Sequence, residues 1–214
     1  MEARSLCYLA VAGLGAPLLP GIVNRTKAFF AGREGAPLLQ PYYDLARLAR
    51  KGAVYSRTTT WVFRAGPVAA LAATLAALCF LPQAGAASLC FFPGDLVVMI
   101  YLLGVARFAT ILAALDTGSS FEGMGASREA LFSALAEPAL LLGLAALVRL
   151  TGEGSLSPLL AALDVSAWLT AAPALFLVLA SLLIILLAEN CRLPVDDPNT
   201  HLELTMIHEV MVLD

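Results

Sequence analysis

The apolar run WLTAAPALFLVLASLLIILLA, residues 168–188, decides the fold of this chain. It contains no charged residue, and it is as long as the roughly 20 residues that a helix needs to cross the hydrocarbon core of a bilayer. The 214-residue sequence as a whole has the same character, because 60% of its residues are apolar, only 14% are charged and its mean hydropathy is +0.84. We therefore expect a membrane-embedded fold.

Four further apolar runs precede that segment, and together the five predict an all-α, polytopic membrane helix bundle. The sequence has no internal repeat or heptad pattern, so we expect a single membrane domain over residues 1–214. It ends within a helical pattern, which predicts a C-terminally truncated bundle. The predicted spans are Leu6 to Val23, Pro67 to Leu81, Leu96 to Leu115, Ala130 to Leu150 and Trp168 to Ala188.

The distribution of basic residues orients this bundle. Eight of the 13 Lys and Arg residues lie between Arg25 and Arg64, whereas the loops near residues 83–94 and 151–167 contain none. By the positive-inside rule, the basic loop at residues 24–66 faces the cytoplasm and the N-terminus faces outward. Alternation places residues 116–129 in the cytoplasm, with the acidic loop and the start of a following helix at 189–214. We expect a multi-pass protein of the inner (cytoplasmic) membrane.

An amphipathic helix is predicted within the basic loop, from Tyr42 onward. Leu45 and Leu48 lie on one stripe, and the prolines at 37 and 41 favour an extended approach to the helix. Such a helix would lie on the membrane surface. The simpler alternative is that its basic residues only contact lipid headgroups.

Two charged residues fall inside predicted spans, where a charge costs on the order of 3 kcal/mol on insertion scales. Arg107 lies in the third span and Glu137 in the fourth, so the two either pair with each other or take part in a proton relay. Asp95 begins the third span, where an acid favours a helix N-terminus. In the stretch FEGMGASREA, Ser127 is predicted to cap the N-terminus of the fourth span.

Acidic residues and two histidines follow the last span, in LLAENCRLPVDDPNTHLELTMIHE at residues 186–209. Helix capping explains Asp197 and the stretch from Thr200 to Glu203. The pair His208 and Glu209 is not a zinc-protease motif, because Val212 stands where its second histidine would be. The cysteines at 7, 79, 90 and 191 have no spacing typical of a zinc or iron–sulfur site, so neither a metal nor a redox centre is predicted in this chain.

Two blocks of this sequence resemble the family of membrane subunit 1 of respiratory NADH:quinone oxidoreductase (complex I). The residues AENCRLPVDDP (188–198) with Glu203 and Leu204 are similar to its acidic loop, and GREGAPLLQPYYDLARLARKG is similar to its first basic loop. GAPLLQPYYDL, GMGASREA and PVDDPNTHLELTMIHE resemble the hydrogenase branch, formate hydrogenlyase subunit 4 and hydrogenase-4 component C. Asn199 and His201 stand where complex I has acids.

The resemblance implies roles for individual residues. An acidic proton or coupling path would use Glu137 as its inner relay, with Glu189, Asp196, Asp197, Glu203 and Glu209, and with His201 and His208 bridging the acids. Docking of a peripheral module, or compensation of the acidic charge, would fall to Arg33, Asp44, Arg47, Arg128, Glu129 and Arg192. Arg107 would be the intramembrane cation.

The function that this resemblance implies is that of a non-catalytic anchor and coupling subunit of a membrane-bound hydrogenase complex. Iron–sulfur clusters and a nickel–iron site would lie in partner subunits: the hydrogenase large and small subunits and a ferredoxin-like subunit. Antiporter-like membrane subunits would move protons or sodium ions. Cofactors in this chain and nucleic-acid binding are not expected. The alternatives are a quinone-site subunit of NADH:quinone oxidoreductase, which alone would bind quinone, a stand-alone ion transporter or channel, and a purely structural anchor.

Overall fold

The computed structural model describes residues 3–82, 87–190, 207 and 211, and all its regular elements over these ranges are helices. The chain divides into two compact units, residues 1–54 and residues 55–214. The first unit contains α1 (Ala3–Gly15), α2 (Leu18–Phe30) and α3 (Gln40–Leu48). The single domain predicted over residues 1–214 stays a prediction.

The first predicted span, Leu6 to Val23, is divided between α1 and α2. The two helices have 13 residues each, which is shorter than a membrane crossing requires. Pro17 stands at the N-cap of α2, where proline is compatible with a helix start but removes a backbone donor from a continuous helix. The break is therefore a consequence of the Gly and Pro residues in this segment.

About half of the predicted basic loop at 24–66 is helical. It contains the end of α2, all of α3 and the start of the next helix. The predicted amphipathic helix begins at Gln40 rather than Tyr42, so Pro41 lies in its first turn and not in an extended approach. Leu45 and Leu48 are exposed in this unit. Gly21 of α2 lies against the carbonyl of Leu38, an approach that a Cβ atom would prevent.

The second unit contains the membrane bundle. Its elements are α4 (Trp61–Leu78), α5 (Asp95–Asp116), α6 (Ser120–Thr151), α7 (Leu156–Ala161) and α8 (Val165–Glu189). Helix α4 packs on α5, α5 on α6, and α6 on α8. Among the described residues, α4, α5, α6 and α8 are the helices long and apolar enough to cross a membrane. They overlap the second to fifth predicted spans, which confirms the polytopic helix bundle.

Small residues and buried aliphatic side chains hold this bundle together. Gly66 of α4 lies against Ala113 and the carbonyl of Ala109 in α5, where a Cβ would be only 2.6 Å from the Ala113 Cβ. One apolar core joins all five helices, and a smaller one involves α5, α6, Ile207 and Met211. Many large apolar side chains of the same helices are exposed, as expected of surfaces that face lipid.

Two predicted loops contain helix. The segment 116–129 is helical from Ser120 onward, so Ser127 lies inside α6 and its predicted role as an N-cap is wrong. Its hydroxyl donates instead to the carbonyl of Met124. The predicted loop 151–167 contains the short helix α7, because Leu156 and Leu159 are buried in the main core.

Asp95 links the start of α5 to the start of α7. Its side chain is fully buried and accepts hydrogen bonds from the Ser155 hydroxyl at 2.6 Å and from the Leu156 backbone N–H at 2.9 Å. Gly94, with φ 89°, donates to the carbonyl of Gly154 at 3.0 Å. The acid predicted to favour the start of α5 therefore also binds the start of α7.

Candidate functional site

The second unit contains an intramembrane cluster of charged residues around Arg107 of α5. The guanidinium Nε lies 3.3 Å from Glu129 Oε1, and Nη1 lies 3.2 Å from Glu137 Oε1. Its Nη2 pairs with Glu189 Oε2. Glu129 and Glu137 belong to α6 and Glu189 is the last residue of α8, so one cation joins three helices.

Ser133 of α6 completes the cluster. Arg107 Nη1 donates to the Ser133 hydroxyl, which in turn donates to Glu137 Oε1 at 3.2 Å. Residues 129, 133 and 137 are spaced by four, which places them on one face of α6. The face that α6 turns toward α5 is thus polar over two helical turns.

The cluster extends from the interior of α5 to the C-terminal end of α8. Arg107 lies nine positions before Asp116 at the end of α5, which is about 14 Å along a helix. The exposed fractions of the side chains are 13% for Arg107, 9% for Glu129, 27% for Glu189 and 41% for Glu137. Two members are therefore nearly buried, and Glu137 retains the largest accessible surface.

A cavity of about 570 Å³ opens beside the cluster, between α4, α5, α6 and α8. All four charged residues of the cluster line it, and the remaining wall includes Thr74, Thr110 and Asn190 together with aliphatic side chains. A cavity of this size with a few convergent polar groups is typical of a site for small ligands or water. Within the described residues, no group of His, Cys, Asp and Glu side chains has the arrangement of a metal site.

A second polar site lies where α5 ends and α4 begins. Asp116 accepts from the Thr60 hydroxyl at 2.7 Å and from the backbone N–H groups of Thr60 and Phe63 at 2.7 and 3.1 Å. The two N–H donors lie at the start of α4, where the first backbone N–H groups have no acceptor within the helix, so Asp116 acts as a cap supplied by the neighbouring helix. This capping of α4 is a structural role, and it explains the position of Asp116 without a part in the Arg107 cluster.

The predicted site residues have different locations. Arg107, Glu129, Glu137 and Glu189 come together, although Glu129 had been expected to take part in docking. Asp44 and Arg47 form an exposed pair at 3.1 Å in the first unit, and Arg33 is exposed there. Arg128 is half-buried on α6, beside the cluster residue Glu129. Outside the described residues lie Arg192, Asp196, Asp197, His201, Glu203, His208 and Glu209.

Sequence reasoning missed three members of this environment. Ser133 was not singled out, although the four-residue spacing of 129, 133 and 137 would have indicated a polar face. Gly104 was not singled out either; a Cβ there would lie 3.1 Å from Glu137 Oε1, so the glycine makes room for that carboxylate. Glu122 of α6 is 2% exposed, and its burial was not predicted from a segment that appeared polar.

Comparison with known proteins places this architecture in a family. The family model described as NADH dehydrogenase matches residues 3–210. Formate hydrogenlyase subunit 4 of Escherichia coli strain K12 is 38% identical over 142 residues, which are 66% of this chain and 46% of that protein. Hydrogenase-4 component C of the same organism is 36% identical over 137 residues, covering 64% of this chain and 44% of that protein.

A solved structure has the same fold. A chain of the membrane-bound sulfane sulfur reductase, an archaeal respiratory membrane complex, superimposes with a TM-score of 0.71 at 22% identity, over 97% of this chain and 71% of that one. The present chain spans less than half of the length of the two curated relatives. The family match extends over nearly all of its residues, and the resemblance inferred from the sequence is confirmed: this multi-pass membrane protein belongs to the NADH dehydrogenase family.

Proposed function

We propose that this chain is the membrane-anchor and coupling subunit of a multisubunit hydrogenase complex. In this proposal, it docks a peripheral module that contains nickel–iron and iron–sulfur centres and links electron transfer there to movement of protons or sodium ions. The observation that carries the proposal is the Arg107 cluster, in which one guanidinium contacts carboxylates from two neighbouring helices.

The physical argument is one of charge balance. Among the residues that the structure describes, three carboxyl groups contact the permanently charged guanidinium of Arg107, so the acids of this cluster outnumber that cation. In the proposal, bound protons or small cations balance part of this negative charge within the low-dielectric bundle. A change of charge nearby, such as reduction of a cofactor in a docked module, alters how many are bound. Ionisable residues inside a membrane are typical of such pathways.

The cavity supports transfer between the cluster and water. It is lined by Glu189 and Asn190 at the end of α8, from which the chain continues into the acidic segment at 191–209. In the proposal, Asp196, Asp197, Glu203 and Glu209 extend the path from Glu189, with His201 and His208 between them. Arg33, Arg47 and Arg192 contact the docked module on the cytoplasmic side of the inner membrane.

The relatives suggest the kind of complex. Two of them carry the names of a formate hydrogenlyase subunit and a hydrogenase-4 component, which favours hydrogenase subunits as partners over a quinone-reducing module. The partners in the proposal are therefore the hydrogenase large and small subunits, a ferredoxin-like iron–sulfur subunit and antiporter-like membrane subunits.

The test uses the intact complex in native membrane vesicles. Glu189→Gln and Glu137→Gln keep side-chain size but remove a titratable group, so we expect hydrogen evolution to continue while ion translocation per hydrogen molecule falls sharply. Glu153→Gln is the matched control, because Glu153 is an exposed acid outside the cluster. Unchanged translocation in both cluster variants would contradict coupling and favour a purely structural anchor.

A further inference from the structure

A second opening reaches the Arg107 cluster from the side of the bundle. A groove of about 400 Å³ runs along the outer surface between α5 and α6. Tyr101, Val105 and Phe108 line it on α5, and Ala130 and Ala134 line it on α6. These side chains are exposed, with 66% for Tyr101 and 61% for Phe108.

Glu137 and Gly104 line both this groove and the central cavity. Because Gly104 has no side chain, the Glu137 carboxylate occupies the gap between the two helices there. One of its oxygens contacts Arg107 and Ser133, yet the side chain remains 41% exposed. Glu137 is thus the charged residue of the cluster that lines the lateral groove, together with the Ser133 side chain.

A carboxylate in this position is costly if the groove faces lipid. Glu137 lies 17 residues after Ser120 and 14 before Thr151, near the middle of α6. Lipid provides no hydrogen-bond donor at that depth, and ionisable residues within membrane spans face protein or water-filled cavities. The small residues Ala130 and Ala134, spaced by four, allow another helix backbone to approach closely. The surface therefore has the features of a helix-packing site with a polar centre.

We propose that this groove is the docking surface for a transmembrane helix of another membrane subunit, which places a lysine or arginine side chain against Glu137. The negative charge of the partly exposed Glu137 carboxylate, in a groove where lipid offers no hydrogen-bond donor, selects a basic partner side chain. The inference rests on the proposed function for the existence of a neighbouring membrane subunit, and it adds the surface, the chemistry and the residue that this neighbour recognises.

Site-specific photo-crosslinking in native membranes of the whole complex tests this docking. A benzophenone amino acid replaces Phe108 in one variant and Leu135 in another. Leu135 is the matched control, since it is 65% exposed at a similar depth on α6 but does not line the groove. We expect the Phe108 variant to crosslink to an apolar helix of a different chain that has a Lys or Arg within about one helical turn of the crosslinked residue.

Several results would overturn the proposal. These are adducts with lipid alone, a crosslink to a second copy of this chain or to another segment of the same polypeptide, a captured helix without a basic residue, and equal capture by the Leu135 variant. Sequencing of the crosslinked peptide by mass spectrometry distinguishes these outcomes.

Charge substitution supplies an independent readout. Glu137→Gln should lower the crosslinked fraction in mild detergent by about tenfold, because it removes one partner of a desolvated charge pair. Replacing the identified basic residue with Gln should lower the crosslinked fraction to a similar extent, and combining it with Glu137→Gln should add little further loss, because both changes remove the same charge pair. Glu189 lies outside the groove, so Glu189→Gln should leave the crosslink unchanged. Unchanged translocation in Glu189→Gln would count against the proposed coupling function, whereas loss of the Phe108 crosslink would count against docking. The two proposals can therefore fail separately.

Discussion

Helix α5 contains the buried Asp95 and the nearly buried Arg107, and the charges of these two side chains are compensated by different kinds of partner. At its start, Asp95 is fully buried and receives its hydrogen bonds from neutral groups, the Ser155 hydroxyl and the Leu156 N–H. Near its middle, Arg107 is bound by three carboxylates, and the cavity beside it remains open.

The partners of the two sites indicate different roles. Asp95, which has neutral partners, stabilises the fold, whereas the Arg107 cluster can change its bound protons or ions when a charge nearby changes. Neutral donors fix Asp95 in one arrangement and leave no route to a ligand, whereas the carboxylates around Arg107 outnumber it and line a cavity. Variants that affect stability without affecting translocation should therefore map to Asp95, and variants that affect both should map to Arg107.

The largest effect is expected for Arg107→Ala. This change leaves three carboxyl groups close together without their cation, and breaking a buried ion pair by removing one partner typically costs about 3–5 kcal/mol of unfolding free energy. Thermal unfolding of the purified complex in mild detergent should show a clear loss of stability of this subunit.

A second substitution shows whether that loss is electrostatic. Adding Glu129→Gln to Arg107→Ala removes one of the uncompensated carboxylates, so stability should be partly regained. An equal or greater loss in the double variant would indicate that Arg107 acts through packing of its aliphatic part rather than through its charge.

The next largest effect is expected for Asp95→Ala, which leaves the Ser155 hydroxyl and the Leu156 N–H without their acceptor. Unsatisfied buried groups of this kind cost about 1–3 kcal/mol, so the unfolding temperature should fall. Asp95→Asn retains an acceptor oxygen and should be milder. Ion translocation per hydrogen molecule should be unchanged in both variants, and a fall in that ratio would remove the distinction between the two sites.

The sequence predicted the bundle because the thickness of the hydrocarbon core sets the length of apolar runs. Four of the five predicted spans correspond to helices of sufficient length. The boundaries were less accurate. Helix α4 begins at Trp61, before Pro67, because membrane helices tolerate internal proline. Helix α6 begins ten residues before the predicted Ala130, because Gly125 packs against Ile207 and Met211, a tertiary contact that no local pattern reveals.

The candidate site was only partly accessible to sequence reasoning. Arg107 and Glu137 were identifiable because a charge inside an apolar run is costly. Their assembly with Glu129 and Glu189 depends on how α6 and α8 pack on α5, which hydropathy does not determine. The same holds for Gly104, whose relevance comes from the 3.1 Å approach of Glu137 Oε1 to the position of its missing Cβ.

Gly104→Ala is expected to lower the stability of the protein moderately, and it tests whether Glu137 occupies the space beside Gly104. The added methyl group must displace the Glu137 carboxylate, and overpacking of this kind costs about 1 kcal/mol or more. Gly123→Ala is the matched control in α6, because no atom lies within 4 Å of its Cβ position; it should stabilise the helix by roughly 0.5–1 kcal/mol. Thermal unfolding of the two variants should therefore shift in opposite directions, and a stabilising Gly104→Ala would show that Glu137 does not occupy the gap.

The smallest effect on stability is expected for a substitution of Asp164, an acid that caps a helix outside the buried sites of α5. It is the N-cap of α8, and hydrogen bonds from the Ser166 hydroxyl and then the Ala167 N–H lower the pKa of its carboxyl group below the ordinary 3.8. Because the folded-state pKa lies below the unfolded one, the ionised cap stabilises the fold above 3.8, and this contribution is lost as the pH falls toward the folded-state pKa. Asp164→Asn keeps a good capping residue without the charge. The wild-type protein should therefore unfold at a slightly higher temperature than the variant at neutral pH, and the difference should vanish in acid; a difference that persists in acid would mean that the carboxylate charge is not its source.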